Sequence, residues 1–505
     1  MAGYDCGLCC ARQSQPTPAG PAPRAPNPDP QCQPATLTDM VPTAYAAIVL
    51  LVGLMASRTG LLRAQVLFCV LGGTSALTLP ALGGSTIVVP AFCLPFFVVR
   101  AYLESVGTGA ARRISPSAFW LTAAIVWGLA ITFTIPRALR GELQIITLDR
   151  LGTGAYMLTP LRPVSGNISQ AAFAVANVAT FIAARYLLRL PERVVAYSSA
   201  VLWLATINCL AAALNLAEHY LPIPNLLEYV RTAYRVYETY EQKSTGLVRI
   251  HGTFPEASVF SSFSLGLFGF TFSLWLNRVR SLWTGTLAAL LLAFLLFSTS
   301  GTAYGGLAIY GSLFVLGLLR RAWSEGRMPR SAMLFSGVVL ATTVAVAMIV
   351  FEAPLVDRVI RFFQATVIDK LETKSGVERT LWNLQAWRNF VESYGLGVGI
   401  GTARPSSFVL TVLSNIGAIG TFFYGLFLYH VLRPANPRTQ GPILGPISEA
   451  SRHAVLATLS GAVLSGSSFD RGAVFYLFAA AASLRATAMR KPATSQAPRR
   501  RATSG

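Results

Sequence analysis

The sequence predicts an all-α fold, a polytopic transmembrane helical bundle of about 12–13 spans with a large external helical loop. Of its 505 residues, 53% are hydrophobic and 12% are charged, whereas a soluble domain carries about 25% charged residues. The apolar residues form blocks of roughly 17 to 25 residues, each long enough to cross a hydrocarbon core of about 30 Å. The low charged fraction and the long apolar blocks exclude a soluble globular enzyme. The blocks also lack the alternating pattern of transmembrane β-strands, which excludes a membrane barrel.

The apolar blocks follow one another from residue 41 to residue 488. The first is short for a membrane span. The blocks lie at 41–57, 62–80, 83–102, 117–135, 170–188, 195–217, 257–276, 282–299, 302–319, 331–351, 406–432, 453–467 and 472–488.

Arginines are concentrated in every second connection between these blocks, as at Arg58, Arg112, Arg185, Arg320 and Arg433. The positive-inside rule assigns such connections to the cytoplasm, so the C-terminus is predicted to be cytoplasmic. The long connections then lie outside. They are residues 136–169, 218–256 and 353–405, and function is expected there.

Two tails flank the transmembrane region 41–488. Residues 1–40 are rich in Pro and Gln and are expected to be disordered, because they have few apolar residues to bury. The first apolar block leaves the side of this tail undecided. Residues 489–505 form a basic cytoplasmic tail. The net charge of +20 is spread over short connections, which argues against nucleic acid as a partner and for a role in membrane orientation.

The largest external connection, 353–405, contains a candidate ligand site. Its segment ERTLWNLQAWRNF, which begins beside Arg379, has the apolar spacing of a helix lying on the bundle. A glycine-rich stretch with Gly397, Gly399 and Gly401 follows. This stretch lacks the βαβ context of a dinucleotide-binding loop, so we expect its glycines to pass beneath a ligand and its amides to meet an anion.

A second candidate site precedes the block 257–276, in the segment RIHGTFPEAS. Arg249 is suited to gripping a phosphate, and either Glu256 or His251 to accepting a proton. The alternative is an ordinary helix start, in which Pro255 occupies the first turn and Arg249 extends to lipid phosphate.

Together these motifs resemble the bacterial O-antigen ligase and polysaccharide polymerase superfamily. The resemblance covers roughly residues 195–432 and rests on the order of RIHGTFPEAS, STSGTAYGG, SGVERTLWNLQAWRNF, YGLGVGIG and SNIGAIGTFFYGLF. It implies an enzyme of the bacterial inner membrane with its active face in the periplasm. Such an enzyme transfers a glycan from an undecaprenyl-diphosphate carrier to a carbohydrate acceptor.

The resemblance also implies roles for individual residues. Arg249 and Arg379 match family arginines that neutralise the diphosphate leaving group, which a guanidinium fork suits better than an ammonium group does. Arg388 and Arg404, with the three glycines, are expected to contact substrate. Neither metal nor other cofactor is expected, since the sequence has no Asp-x-Asp that would clamp a diphosphate through a cation. A flippase and a chain-length regulator are further expected partners.

The sequence departs from the ligase pattern at Ser406 and Ser407, where ligases commonly have a His-Asn pair. Glu256 is therefore the first candidate for the general base and His251 the second. The resulting hypothesis is a polymerase of surface polysaccharide. An O-antigen ligase, with lipid A core or protein as acceptor, is the closest alternative, and a lipid-linked oligosaccharide transporter is an alternative of another class.

Overall fold

A computed structural model shows the arrangement of these blocks. The structure describes residues 41–79, 85–108, 114–148, 156–233, 243–244, 247–325, 374–434 and 437–485. The predicted tails 1–40 and 489–505, the apolar block 331–351 and the first part of the connection 353–405 lie outside the described residues.

The architecture is that of an all-α polytopic helical bundle, which confirms the predicted fold class. Thirteen helices occur in the described part of the chain. They are α1 (Ala44–Met55), α2 (Arg58–Phe68), α3 (Val89–Thr108), α4 (Pro116–Ala138), α5 (Ser165–Leu187), α6 (Pro191–Tyr220), α7 (Ala257–Leu276), α8 (Ser281–Phe297), α9 (Gly301–Glu325), α10 (Lys374–Glu392), α11 (Phe408–Leu432), α12 (Pro437–Leu464) and α13 (Ala473–Ala482).

Short antiparallel sheets, which the apolar blocks did not predict, lie in three connections. β1 (Val41–Pro42), β2 (Ser75–Leu79) and β3 (Ser85–Val88) form one sheet in the order β1-β2-β3. Two hairpins form the others, β4 (Gln144–Leu148) with β5 (Tyr156–Pro160) and β6 (Lys243–Ser244) with β7 (Leu247–Val248). The blocks 62–80 and 83–102 therefore each contain a strand as well as a helix.

Seven of the described helices are long and apolar enough to cross a membrane, so the chain is a multi-pass membrane protein. They are α3, α4, α5, α6, α7, α9 and α11. Three further apolar helices, α1, α8 and α13, are shorter. At 1.5 Å per residue the ten residues of α13 extend only about 15 Å, half of a hydrocarbon core of about 30 Å.

The helices alternate in direction, which gives the bundle two distinct ends. The loop end carries the β4–β5 hairpin, residues 221–233 and 247–256, α10 and residues 393–407. The arginine end carries the turns between α1 and α2, α5 and α6, and α7 and α8. There Arg193 lies 3.0 Å and Arg58 3.4 Å from the carboxylate of Glu104, joining α2, α3 and α6.

Glycines allow close packing of α7 against α12 in the middle of the bundle. A Cβ atom at Gly269 would lie 2.6 Å from the carbonyl oxygen of His453, and one at Gly266 would lie 2.5 Å from Thr458 Oγ1. Small residues stabilise membrane helix pairs in this way, because association in lipid depends on packing rather than on removal of apolar surface from water.

α12 begins sixteen residues before the predicted block 453–467. The residues of α12 before this block include Glu449 and Arg452, and these charges lower the hydropathy that defines a block. The chain is nevertheless helical there, with a kink at Gly441, where φ is +71°. The predicted cytoplasmic connection 433–452 is thus mostly helix.

Candidate functional site

The sequence-predicted site residues fall into three groups at the loop end. Arg249, His251 and Glu256 precede or begin α7. Arg379 and Arg388 lie on α10. Gly397, Gly399, Gly401 and Arg404 lie in the segment between α10 and α11, which we call the glycine loop (residues 393–407).

The glycine loop enters the bundle, where its backbone adopts left-handed conformations. Gly397, Gly399 and Gly401 have φ values of +85°, +94° and +83°, which glycine adopts without steric cost. Space is also limiting, since a Cβ at Gly401 would lie 2.3 Å from the carbonyl oxygen of Gly166 on α5. Only glycine fits at this position.

The amides of the loop donate to protein acceptors. Gly397 N donates to Ser393 Oγ (2.9 Å), Gly399 N to the carbonyl of Asn415 (3.0 Å) and Gly401 N to Asn415 Oδ1 (2.9 Å). These amides are therefore engaged within the fold. The prediction that these amides meet an anion was wrong, because they already donate to protein acceptors. The glycines instead allow the backbone of the loop to approach α5 and α11 closely.

Three polar side chains that the sequence analysis passed over hold the loop in place. Asn415, fully buried on α11, also donates from Nδ2 to the carbonyl of Ala403 (2.9 Å). Asn167 on α5 donates to the carbonyl of Ile400 (2.9 Å), and Thr132 on α4 accepts from Ile400 N (2.8 Å). Each lies in a helix, where a single Asn or Thr usually makes an ordinary interhelical hydrogen bond. The sequence therefore did not distinguish these three residues from others of that kind.

α11 is broken where the glycine loop meets it. Gly417 has a φ of +66° inside the helix, and a Cβ there would lie 2.3 Å from the carbonyl oxygen of Leu396. The amide of Ala418, just after the break, donates to the carbonyl of Gly395 (2.8 Å). The loop thus supplies a hydrogen-bond partner that the broken helix lacks, as unwound backbone in a membrane requires.

A polar cavity of about 190 Å³ lies beside this loop. It is bordered by α5, the glycine loop, α11 and the α12–α13 connection. The lining residues are Gln170, Gly401, Ala403, Arg404, Asn415, Ser467, Ser468 and Phe469. Arg404 is the one charged group in this lining, so the structure brings two predicted substrate-binding residues, Gly401 and Arg404, to one cavity.

The α12–α13 connection forms a wall of the cavity and extends deep into the bundle. Asp470 Oδ1 accepts from Asn177 Nδ2 (3.0 Å) and from Gly472 N (2.8 Å). Asn177 lies twelve residues along α5, about 18 Å from its start at 1.5 Å per residue, near the middle of a core of about 30 Å. α13 therefore starts halfway through the bundle.

Arg471 follows Asp470 in this connection. Its Nη2 donates to the carbonyl of Ser468 (3.0 Å), and its guanidinium lies 4.6 Å from the ring centre of Phe408. Asp470 and Arg471 lie between two apolar blocks, where a short polar connection is expected, so the sequence did not mark either charge as functional. What could have revealed these two charges is their position next to α13. Because α13 spans only half of the membrane, the connection that precedes it lies inside the bundle.

The start of α7 forms a second group. The amides of His251 and Gly252 donate to Asn215 Oδ1 (3.0 and 3.3 Å), and Arg231 Nε donates to the carbonyl of Gly252 (2.7 Å). Burial, and then the positive charges of Arg231 and Arg249, lower the pKa of His251 to about 4. The ring is therefore neutral at pH 7 and a weak base.

Glu256 caps the N-terminus of α7 in sequence, but its side chain makes no capping hydrogen bond. It is exposed, and its Oε2 accepts from Ser258 Oγ (2.9 Å). A carboxylate at this position is favoured by the helix dipole, and its exposure leaves it accessible from outside the bundle. Of the two base candidates, the geometry favours Glu256.

α10 lies against the start of α11 and presents its polar face inward. Asn383 Oδ1 accepts from the amides of Ser406 and Ser407 (2.9 and 3.1 Å), so these serines begin α11 and are held by α10. Arg379 is half-buried and lies one turn before Asn383 on the same face, whereas Arg388 is exposed. The apolar positions Leu381, Leu384 and Trp387 are about half exposed, contrary to the apolar contact with the bundle that their spacing suggested.

The described residues contain no group of three or more His, Cys, Asp or Glu placed to hold a metal ion. Independence of metals remains a prediction. No protein-family model matches this chain, and no curated protein matches it. The likeness to O-antigen ligases and polysaccharide polymerases thus rests on the sequence motifs alone.

Proposed function

We propose that this protein is a membrane glycosyltransferase, a polymerase of surface polysaccharide that transfers a glycan from undecaprenyl diphosphate to a lipid-linked repeat unit. The single observation that carries the proposal is the polar cavity at the loop end, with Arg404 as the only charge in its lining. The bacterial inner membrane and a periplasmic active face belong to the proposal, and the arginine bias of the opposite connections supports that orientation.

The lining of the cavity suits a phosphorylated sugar. A guanidinium binds phosphate oxygens through two parallel hydrogen bonds, and amide and hydroxyl groups bind sugar hydroxyls. The cavity has a volume of about 190 Å³, far above the roughly 10–15 Å³ that one water molecule requires. One phosphate group or one sugar ring fits, so the lipid tail and the growing glycan would remain outside.

In the proposed reaction an acceptor hydroxyl oxygen attacks the anomeric carbon of the donor. The bond from that carbon to the phosphate oxygen breaks, and undecaprenyl diphosphate leaves with the electron pair. Arg404, Arg249 and Arg379 would stabilise the charge that develops on the diphosphate. The acceptor proton would pass to Glu256, since His251 is a weak base. Ser406, which stands where ligases commonly have a His-Asn pair, donates its hydroxyl to the carbonyl of Leu464 (3.1 Å) and so stabilises the fold.

A transporter of lipid-linked oligosaccharide is the second candidate function. The break in α11 at Gly417 and the half-length of α13 favour it, because transporters bind substrates where interrupted helices meet near the middle of the membrane. Against it, residues 474–484 are at most 9% exposed and fill the space between the cavity and the arginine end.

Reconstitution with defined lipid-linked repeat units distinguishes these functions. Purified protein in vesicles should lengthen the glycan on its lipid carrier, and chelation of divalent cations should leave the rate unchanged because arginines supply the countercharge. A ligase would extend only lipid A core or protein acceptors. Movement of the lipid-linked repeat across the bilayer without any lengthening would replace the proposed enzyme by the transporter.

A further inference from the structure

Four arginines converge at the arginine end of the bundle. They are Arg185 near the end of α5, Arg433 directly after α11, Arg452 inside α12 and Arg485 shortly after α13. Arg485 donates to the carbonyls of Leu484 (2.8 Å) and Arg433 (2.9 Å), and so ties the chain after α13 to the end of α11. Arg185 donates to the carbonyl of Ser483 (2.8 Å). We call these four residues the arginine cluster.

The charges around this cluster are strongly unbalanced. Glu449 lies 3.8 Å from Arg452 and is the carboxylate that contacts the cluster in the described residues. Burial and the charges of Arg452 and Arg433 lower the pKa of Arg485, as expected where cations repel one another.

Carbonyl groups at helix ends accept hydrogen bonds from two of the four arginines in the cluster. Arg185 and Arg485 donate to such carbonyls, which carry the negative end of the helix dipole. Arg433, by contrast, is exposed and has no side-chain hydrogen bond or ion pair within the described residues. Its guanidinium is therefore available to an external anion.

An apolar stripe on α11 leads to Arg433. Ile419, Phe422 and Tyr429 occupy one face of the helix at spacings of three and seven residues, and they are 45%, 62% and 57% exposed. Arg433 continues the same face one turn later. An apolar stripe that ends in Tyr and Arg matches the depth profile of a phospholipid, from acyl chains through the interface to the phosphate.

We propose that the arginine cluster binds the phosphate headgroup of an anionic phospholipid, whose acyl chains lie along the Ile419–Phe422–Tyr429 stripe. The partner is a lipid and not free phosphate, because the stripe adds apolar contacts that a free ion lacks. Basic groups near a membrane surface each contribute roughly 1 kcal/mol to the attraction of anionic lipid. This inference does not depend on the proposed enzymatic function.

Thermal unfolding of the full-length protein tests the inference. Delipidated protein is transferred to vesicles of phosphatidylcholine, with or without phosphatidylglycerol, and inorganic phosphate is added in a third arm. Phosphatidylglycerol should raise the unfolding midpoint by several degrees, since a ligand that binds only the folded state stabilises it. Equal midpoints in the two vesicle types, or an equal rise with inorganic phosphate, would overturn the inference.

Variants localise the effect. Arg433→Gln should lose at least half of the phosphatidylglycerol-dependent shift, whereas Arg320→Gln, an exposed site at the same end on α9, should keep it. Arg433→Lys should retain most of the shift, and it provides the comparison if the Gln variant inserts poorly. A full shift in Arg433→Gln, or an equal loss in Arg320→Gln, would contradict a specific lipid site.

Discussion

The two ends of the bundle use the same side chain for different purposes. At the arginine end, Arg185 and Arg485 donate to carbonyl groups of neighbouring helix ends. At the loop end, Arg404 lines a polar cavity in which the other side chains are neutral. The surroundings, not the residue type, therefore decide whether an arginine stabilises the fold or is available to a ligand.

This difference follows from how the backbone ends at each side. Helices that terminate at the arginine end expose carbonyl groups, which cations satisfy. At the loop end the chain continues into the glycine loop, whose amides and carbonyls pair with Asn415, Asn167 and Thr132. The described lining of the cavity contains no carboxylate, so Arg404 has no ion-pair partner among these residues.

The largest effect on stability is expected from Gly417→Ala, because Gly417 lies where α11 contacts the glycine loop. A left-handed conformation costs a non-glycine residue roughly 1–2 kcal/mol, and the new Cβ would also overlap the carbonyl oxygens of Gly395 and Leu396. We expect a clear loss of thermal stability and of folded yield. Gly425→Ala, in the same helix with no atom within 4 Å of its Cβ position, is the matched control.

Gly425→Ala should leave the unfolding midpoint unchanged or slightly raised, because Ala favours helix over Gly by about 0.8–1 kcal/mol. If both variants unfold at the wild-type temperature, the glycine loop does not depend on the break in α11, and the structural account of the loop end is wrong.

The next effect separates the two ends directly. If Arg404 binds the diphosphate as proposed, Arg404→Ala should lower glycan transfer roughly tenfold to a hundredfold. Its unfolding midpoint should stay near that of wild type, because the described lining of the cavity offers this guanidinium no carboxylate partner. Arg485→Ala should do the reverse, lowering the midpoint while the remaining folded protein keeps its activity. Transfer rates normalised to folded protein provide the measurement.

The opposite result for either variant would remove the contrast between the ends. An Arg404→Ala protein that is destabilised but fully active when folded would identify Arg404 as a structural residue.

Hydropathy was sufficient to predict the fold class and most helices, since long apolar blocks in a membrane have few alternatives to helix. The block 257–276 coincides with α7. Hydropathy failed where the chain is polar but buried. Residues 437–452 were predicted as a connection because of their charges. The last block was predicted as a full span, although ten of its described residues are helical.

The candidate site was harder to predict than the fold. Gly401 and Arg404 are three positions apart in the sequence, so the sequence alone indicated that they belong together. The other walls of the cavity come from Gln170 and Ser468, which are distant in the chain and whose mutual hydrogen bond (3.0 Å) no local pattern reveals. The role of Asp470 likewise depends on α13 being short, which is a property of the tertiary structure.

A smaller and more selective effect is expected from lysine substitutions at the loop end. Arg249→Lys and Arg379→Lys keep the charge but lose the fork geometry, so each should reduce transfer severalfold if both side chains grip the diphosphate. Arg358→Lys, in the same predicted external connection, should remain close to wild type. Near-normal transfer by both Arg249→Lys and Arg379→Lys would favour simple contact with lipid headgroups and would sink the leaving-group role.

The smallest effect concerns the pH dependence of stability through His251. Its pKa in the folded protein is about 4, below the value of 6.5 for a free side chain, so between these values the unfolded chain binds more protons than the folded one. Stability should therefore fall as the pH is lowered from 6.5 towards 4. His251→Gln removes this titration and should make the unfolding midpoint less sensitive to pH between 6.5 and 5, whereas His219→Gln, at an exposed site, should behave like wild type. If His251→Gln keeps the full wild-type dependence, the imidazole is not held neutral beside Arg231 and Arg249, and the start of α7 is less enclosed than its hydrogen bonds to Asn215 indicate.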